Sequence, residues 1–367
     1  MAYTTIDDPS AHFQPALYTG SGSDNAVTND GNSDLQADLL LCKRRNDTGN
    51  TLVFDSSRGF NGDGDSLYLE TTDDGAETHN DNDHLKSFNS DGFTMQGASS
   101  RSNRSSDTFV AWQWKANGGT TTTNDASSTG VGSEDTVYQA NTTAGFSIVT
   151  WTGPSGSGVD TRAHGLGGVP HVILVKARSG TENWVMYHHK NTSAPETDVL
   201  KLNLTNATAD EAGNWNDTAP TSTVFTTGDT GATNEDSKTY VAYIWKEIQG
   251  YSKFGTYEGN GDADGAFVYL GFKPAFVIIK NIDGSGDEWV MLTGKIATGT
   301  NSNPLTDALY ANANNAETGT YTLDFLSNGF KLRHTSGATT TSGETYSYMA
   351  WAEQPFVSSK GVPCTAR

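Results

Sequence analysis

Four short landmarks recur three times, in the same order, along the 367 residues of the chain, and this self-similarity bounds the fold more tightly than any single motif. The first is a strand ending in an aromatic, one residue and a glycine: Leu17-Tyr18-Thr19-Gly20, Thr150-Trp151-Thr152-Gly153 and Thr256-Tyr257-Glu258-Gly259. The second is an apolar run closed by lysine, in Leu40-Leu41-Cys42-Lys43, Ile173-Leu174-Val175-Lys176 and Val277-Ile278-Ile279-Lys280. From aromatic to lysine the separations are 25, 25 and 23 residues. The third, Leu52-Val53-Phe54, Trp184-Val185-Met186 and Trp289-Val290-Met291, follows polar turn residues such as Asp283-Gly284-Ser285-Gly286, so lysine strand, turn and apolar strand read as a hairpin. The fourth aligns without gaps: Thr108-Phe109-Val110-Ala111-Trp112-Gln113-Trp114, Thr239-Tyr240-Val241-Ala242-Tyr243-Ile244-Trp245 and Thr345-Tyr346-Ser347-Tyr348-Met349-Ala350-Trp351. Opening aromatic and closing tryptophan lie 96, 94 and 94 residues apart. A weaker fifth landmark, Asp91-Gly92-Phe93, Val224-Phe225 and Asn328-Gly329-Phe330, marks one more strand.

Between these landmarks the runs are short, rich in Val, Ile, Thr, Tyr, Phe and Trp, and punctuated by Gly, Asn, Asp and Ser, with no sustained helical period. The expected fold is all-β: three tandem β-sandwich repeats, jelly-roll-like or lectin-like, of roughly 100 residues each. The expected boundaries are an N-terminal tail over 1–10, repeat one over 11–117, a Gly/Thr/Ser-rich linker over 118–143, repeat two over 144–250, repeat three over 251–358 and a C-terminal tail over 359–367. Tyr18, Trp151, Tyr257, Trp114, Trp245 and Trp351 are expected as the structural core of the repeats. The closing strand carries bulky residues on both faces, which suits a central strand or one covered by a neighbouring unit. Lys43, Lys176 and Lys280 are expected to pack their stems while the charge reaches water.

Lys+Arg 23 against Asp+Glu 43 leaves a formal net charge of -20, which argues against nucleic acid and anionic membranes as partners. No apolar run approaches the ~20 residues of a membrane span, so no membrane insertion is expected. The start Met1-Ala-Tyr-Thr-Thr-Ile-Asp-Asp has neither the basic nor the apolar region of an export signal. The only cysteines are Cys42 and Cys364, which excludes a disulfide framework. Two acidic loops, Asn61-Gly62-Asp63-Gly64-Asp65 and Asn260-Gly261-Asp262-Ala263-Asp264-Gly265, mimic the first half of a calcium loop, making Asp63, Asp65, Asp262 and Asp264 weak calcium candidates. Their twelfth positions hold Thr72 and Gly271 in place of the bidentate glutamate, so the expected reading is a solvated turn, no metal and no cofactor. His188-His189 place adjacent strand residues on opposite faces and cannot easily chelate one ion. His164 and its neighbouring serines form no nucleophile elbow, no carboxylate pair stands out among the acids, and no catalytic residue is assigned.

The strings Phe146-Ser-Ile-Val-Thr-Trp-Thr-Gly153, His164-Gly-Leu-Gly167, Thr239-Tyr-Val-Ala-Tyr-Ile-Trp245, Tyr251-Ser-Lys-Phe-Gly-Thr-Tyr257, Gly265-Ala-Phe-Val-Tyr269 and Asp324-Phe-Leu-Ser-Asn-Gly-Phe330 resemble the repeat-built appendage and tail-fibre-type surface proteins of marine tailed phages, over nearly the whole chain. The resemblance implies a non-enzymatic virion surface protein, assembled in the host cytoplasm and extracellular after lysis. It would mediate host attachment by lectin-like binding to a host-surface glycan, with other virion proteins as partners. A homotrimer is expected, because tethered copies multiply weak contacts and cover one another's exposed faces. The first repeat begins near residue 11, leaving no room for a particle-docking domain, which favours the alternative of a capsid decoration protein or head fibre. A carbohydrate-active enzyme is the remote alternative, since three mutually alike units leave no distinct catalytic one.

Overall fold

Each copy of the landmarks folds into the same two-sheet unit. The computed structural model describes residues 2–156, 158–296 and 303–364. Unit 1 contains β1 (Phe13–Thr19), β2 (Asn25–Val27), β3 (Leu39–Arg44), β4 (Leu52–Asp55), β5 (Leu69–Glu70), β6 (His84–Phe88), β7 (Phe93–Gln96) and β8 (Thr108–Trp114). Its large sheet runs β1-β8-β3-β4-β5 and its small sheet β2-β7-β6. Unit 2 contains β9 (Thr122–Asn124), β10 (Thr136–Asn141), β11 (Phe146–Thr152), β12 (Asp160–Ala163), β13 (Val172–Ala177), β14 (Val185–His188), β15 (Asp198–Lys201), β16 (Ala209–Asp210), β17 (Val224–Thr227) and β18 (Thr239–Trp245). Here the large sheet is β16-β15-β14-β13-β18-β11-β10-β9 and the small one β12-β17. Unit 3 contains β19 (Ser252–Glu258), β20 (Phe267–Tyr269), β21 (Phe272–Asn281), β22 (Val290–Thr293), β23 (Leu309–Tyr310), β24 (Leu323–Leu326), β25 (Gly329–Leu332) and β26 (Thr345–Pro355), in sheets β19-β26-β21-β22-β23 and β20-β25-β24. The protein is all-β, built of open antiparallel sheets packed as sandwiches. In every unit the opening strand pairs with the closing strand and the second with the penultimate, the nesting of a jelly roll. The lysine strand and its hairpin partner stay together in the large sheet.

The recurring residues explain why. Register places Tyr18 opposite Phe109, Trp151 opposite Tyr240 and Tyr257 opposite Tyr346. Each pair stacks nearly parallel, at centroid distances of 5.1, 5.2 and 5.3 Å. The fifth-landmark phenylalanine of the small sheet then meets the opening aromatic edge-on: Phe93 at 5.6 Å, Phe225 at 5.7 Å and Phe330 at 5.9 Å. One aromatic triad therefore clamps the two sheets of each unit. The glycine that follows the aromatic is compulsory, since a Cβ on Gly20, Gly153 or Gly259 would lie 2.0–2.3 Å from a carbonyl oxygen of the facing loop.

Residues 118–143, expected as a linker, instead carry β9, the short helix α1 (Ala126–Thr129) and β10. β10 pairs along β11 from Val137–Thr150 to Asn141–Phe146, and extends the large sheet of unit 2 at its edge. Gln139 donates to Ser56 and Ser57 of unit 1 at 2.8 and 2.6 Å. The edge strand β9 is Thr-Thr-Asn and β10 beside it, Thr-Val-Tyr-Gln-Ala-Asn, is half-buried, so neither shows the apolar alternation that separates strand from linker in sequence. The expected N-terminal tail also packs: Thr4 and Ile6 are buried, and the Tyr3 hydroxyl donates to the Gly271 carbonyl at 2.8 Å.

Alternation along the closing strands shows how the units meet. In β18, Tyr240, Ala242 and Ile244 face the sandwich core of unit 2, while Val241, Tyr243 and Trp245 enter a second core shared by all three units. In β8, Phe109 and Ala111 face inward to unit 1, and Val110, Trp112 and Trp114 enter the shared core. The large sheet is thus covered on both faces. Around that core the units join head to tail. The hairpin after the lysine strand of one unit receives a loop of the next through equivalent backbone bonds: Glu317 N to Arg45 O (2.8 Å), Glu77 N to Arg178 O (2.8 Å) and Thr208 N to Ile282 O (3.0 Å). Unit 3 docks on unit 1, unit 1 on unit 2 and unit 2 on unit 3, so the chain closes into a ring with approximate three-fold symmetry.

Candidate functional site

The closing tryptophans of the three repeats meet one another. Trp114, Trp245 and Trp351 are 2, 5 and 2% exposed, and their rings lie 6.2, 5.2 and 5.9 Å apart in an edge-to-face triangle at the ring axis. Recurrence at one strand position marked them for a core. The core they build belongs to three units at once, beside an apolar void of about 50 Å³. Among the described residues their indole N–H groups have no hydrogen-bond partner. These residues are closed to any ligand and form no sugar-stacking platform.

Lys43, Lys176 and Lys280 depart from expectation: all three are fully buried, and their ammonium groups reach carbonyls of the neighbouring unit in place of water. Lys43 donates to Ala313 O at 2.7 Å, Lys176 to Asp74 O at 3.1 Å and Lys280 to Thr205 O at 3.1 Å. Burial pulls the ammonium of Lys43 down to about 7 and those of Lys176 and Lys280 to about 8. They are ring latches.

Of the calcium candidates, Asp63 and Asp262 are exposed, and Asp264 is neutralised by Lys331 at 2.7 Å and Arg333 at 3.5 Å. Asp65 is buried and accepts from the Asn82 amide at 2.7 Å. It gathers with His79 and Asp81, their ligand atoms within 4.8 Å of one another, which is the one such group among the described residues that could hold a cation. The His188-His189 pair faces unit 3: His188 bonds to the Tyr348 carbonyl at 3.3 Å and His189 to that of Phe254 at 2.8 Å. His164 is buried and bonded to backbone, with its Nδ1 accepting from Leu166 N at 3.2 Å.

The accessible chemistry lies elsewhere, in a cleft of about 430 Å³ where units 2 and 3 join, lined by Tyr3, His171, Glu247, Gln249, Gly250, Ser252, Lys253, Tyr269 and Leu270. The three-residue strand β20 supplies Tyr269 to its wall. Val268 points inward, so its neighbours Phe267, outside the cleft lining, and Tyr269 point outward, 46 and 49% exposed. Lys253 on β19 donates to the Tyr269 carbonyl at 2.7 Å and holds its ammonium 5.3 Å above the Tyr269 ring. Glu247, in the short connection between β18 and β19, accepts from Phe254 N at 2.7 Å, and its own amide donates to His171 Nδ1 at 3.1 Å. Burial, with His189 beside it, pulls the His171 imidazole down to about 4, so it is neutral at pH 7. The cleft thus offers one aromatic face, one ammonium, one carboxylate and one amide. Sequence reading passed over these residues, although the exposed pair stands in the string Gly265-Ala-Phe-Val-Tyr269; aromatic, valine, aromatic reads as strand without saying which side is covered.

No helix among the described residues is long and apolar enough to cross a membrane. No curated protein matches the chain. Among solved structures it has a slight likeness to one titled "Crystal Structure of the STIV MCP", at 8% identity and a TM-score of 0.17, over 56% of this chain and 84% of that one. A family described as a domain of unknown function, DUF7483, matches residues 8–355, a span that takes in all three units of the ring. The chain belongs to the DUF7483 family.

Proposed function

We propose that the protein is a structural component of a bacteriophage virion exterior, a tail-fibre or appendage unit that engages the host surface by non-covalent, lectin-like binding. The observation that carries this reading is the closed ring. Three sandwiches locked head to tail over one buried aromatic axis make a rigid body whose small sheets lie on the far side of each sandwich from that axis, suited to contact outside a cell. A net charge of -20 keeps such a body soluble and away from nucleic acid. The covering of exposed faces that motivated a homotrimer is met inside one chain, so we take the single ring as the working unit. Capsid decoration is the second reading, favoured by the approximate three-fold symmetry, which would present similar faces to three neighbours in a shell. Purified protein is expected to bind susceptible cells, to reduce phage adsorption and to release no sugar from extracted envelopes, while antibody against it labels the tail of intact particles. Labelling of the head with no cell binding would establish decoration instead; sugar release abolished by a single carboxylate substitution would establish an enzyme.

A further inference from the structure

We infer that the cleft between units 2 and 3 binds a neutral saccharide, with the sugar ring against Tyr269 and its hydroxyls on Glu247, Gln249 and Lys253; for its biological setting this rests on the attachment reading above.

Of the chain's 8 Trp, 14 Tyr and 15 Phe, Phe267 and Tyr269 are the exposed ones among the described residues, and they are neighbours on one face of one strand. A fold that covers its other aromatic rings leaves these two against water, where apolar surface is unfavourable unless something stacks on it. Units 1 and 2 show that the fold does not require this. Their counterparts of β20 are Asn25-Ala26-Val27 in β2 and Asp160-Thr161-Arg162-Ala163 in β12, without an aromatic.

Tyr269 is also held ready. Its carbonyl is taken by Lys253, the ammonium covers part of its ring, and its hydroxyl lies 3.4 Å from that of Tyr3. A ring fixed before binding loses little freedom on binding. Opposite Tyr269 on β25 stands Gly329, whose Cβ would fall 2.0 Å from the Val268 carbonyl, so the facing position puts no side chain of its own against the ring.

The polar groups select the ligand. Lys253 makes no ion pair among the described residues and donates; Glu247 spends Oε1 on the Phe254 amide and keeps Oε2 to accept; Gln249 does both. Paired donors and acceptors with one positive and one negative charge suit a ligand rich in hydroxyls and without net charge. An anionic polymer would meet Glu247 and the field of a chain carrying -20. A volume of about 430 Å³ falls in the usual range of small-molecule sites, ~300–1,000 Å³. Two half-exposed rings offer far less than the ~800 Å² per partner of a stable protein interface. The apolar C–H face of a pyranose and its rim of hydroxyls fit both halves of the cleft.

A printed array of bacterial surface saccharides, probed with the whole chain, tests this. Wild type is expected to bind neutral saccharides in preference to acidic ones. Tyr269→Ala should weaken that binding at least about tenfold. Phe267→Ala should weaken it less, and Lys253→Gln should shift which neutral sugars are held. Because all three side chains stand at the surface, the thermal midpoint should not move. Absence of binding to any neutral saccharide, preference for acidic ones, or unchanged binding by the Phe267→Ala/Tyr269→Ala double variant would overturn the inference. So would a change of oligomeric state in that variant, which would make the rings a protein interface. Array binding without adsorption to host cells would leave the site standing and sink the attachment reading. Cell adsorption that survives loss of array binding would place attachment on another surface.

Discussion

Two contacts in the ring share a backbone frame and differ in almost everything else. Where unit 1 docks on unit 2, Arg178 and Arg58 both hold Glu77, at 2.8 and 2.9 Å. Arg58 also pairs with Asp55, both side chains wholly buried, and Tyr243 of unit 2 donates to the same carboxylate at 2.6 Å. Where unit 2 docks on unit 3, Ile282 and Thr208 occupy the places of Arg178 and Glu77, and the polar side chains that bond across are the buried imidazole of His188 and the partly exposed one of His189. The lysine latch and the backbone bonds are common to both. The comparison teaches that the latch holds the ring together, while the private side chains distinguish one contact from the next, as the polar residue of a coiled coil fixes register.

Stripping the axis should affect both contacts at once. Trp351→Ala is expected to lower stability by about 3–5 kcal/mol, read from denaturant midpoints, because it opens a void where three sheets meet. Breaking one contact should nearly match it. Arg58→Leu leaves Asp55 buried without its cation, at about 3–5 kcal/mol, while Thr208→Ala at the other contact should stay under about 1 kcal/mol. Equal effects would show that the charges do not distinguish the contacts.

Acid should separate them further. Burial holds His188 at about 3 and His171 at about 4, against an ordinary 6.5. The unfolded chain therefore binds protons that these two folded imidazoles refuse, so their share of the stability is fully present above pH 6.5 and is lost as pH drops toward 4, by at most about 1.4 kcal/mol per unit for each histidine. At the other contact, burial works against ionisation of Glu77, yet Arg178 and Arg58 outweigh it and hold the carboxyl below its ordinary 4.5. That contribution is present above pH 4.5 and is lost only below it. Amide exchange, corrected for its intrinsic pH dependence, should rise between pH 6.5 and 5 around His188 and Tyr348 before it rises at Glu77, and His188→Gln should reduce the difference. The smallest effect is a transplant: Ile282→Arg with Thr208→Glu copies the Arg178–Glu77 pair onto the other contact and should add no more than about 1 kcal/mol in a double-mutant cycle.

Much of each unit was legible in sequence because its parts are residue types at fixed places. The aromatic-x-Gly ends, the lysine strands and the closing tryptophans all sit where three aligned copies put them. The ring was hidden because its joints are backbone carbonyls, which every residue carries. A lysine ending an apolar strand reads alike whether its ammonium meets water or Ala313 O. The apolar residues on both faces of β8 and β18 did signal a second covering layer, without saying that the layer was the other two units. Residues 118–143 misled because a threonine-rich edge strand and a linker share a composition. The cleft was invisible because exposure of Phe267 and Tyr269 depends on β20 being an edge, a fact of topology.

The central claim is that the three units form one body rather than three beads. Differential scanning calorimetry of the whole chain tests it most directly. One transition, with calorimetric and van't Hoff enthalpies in agreement, is the predicted result. Two or three separable transitions, each with the enthalpy of a unit of roughly 100 residues, would contradict it.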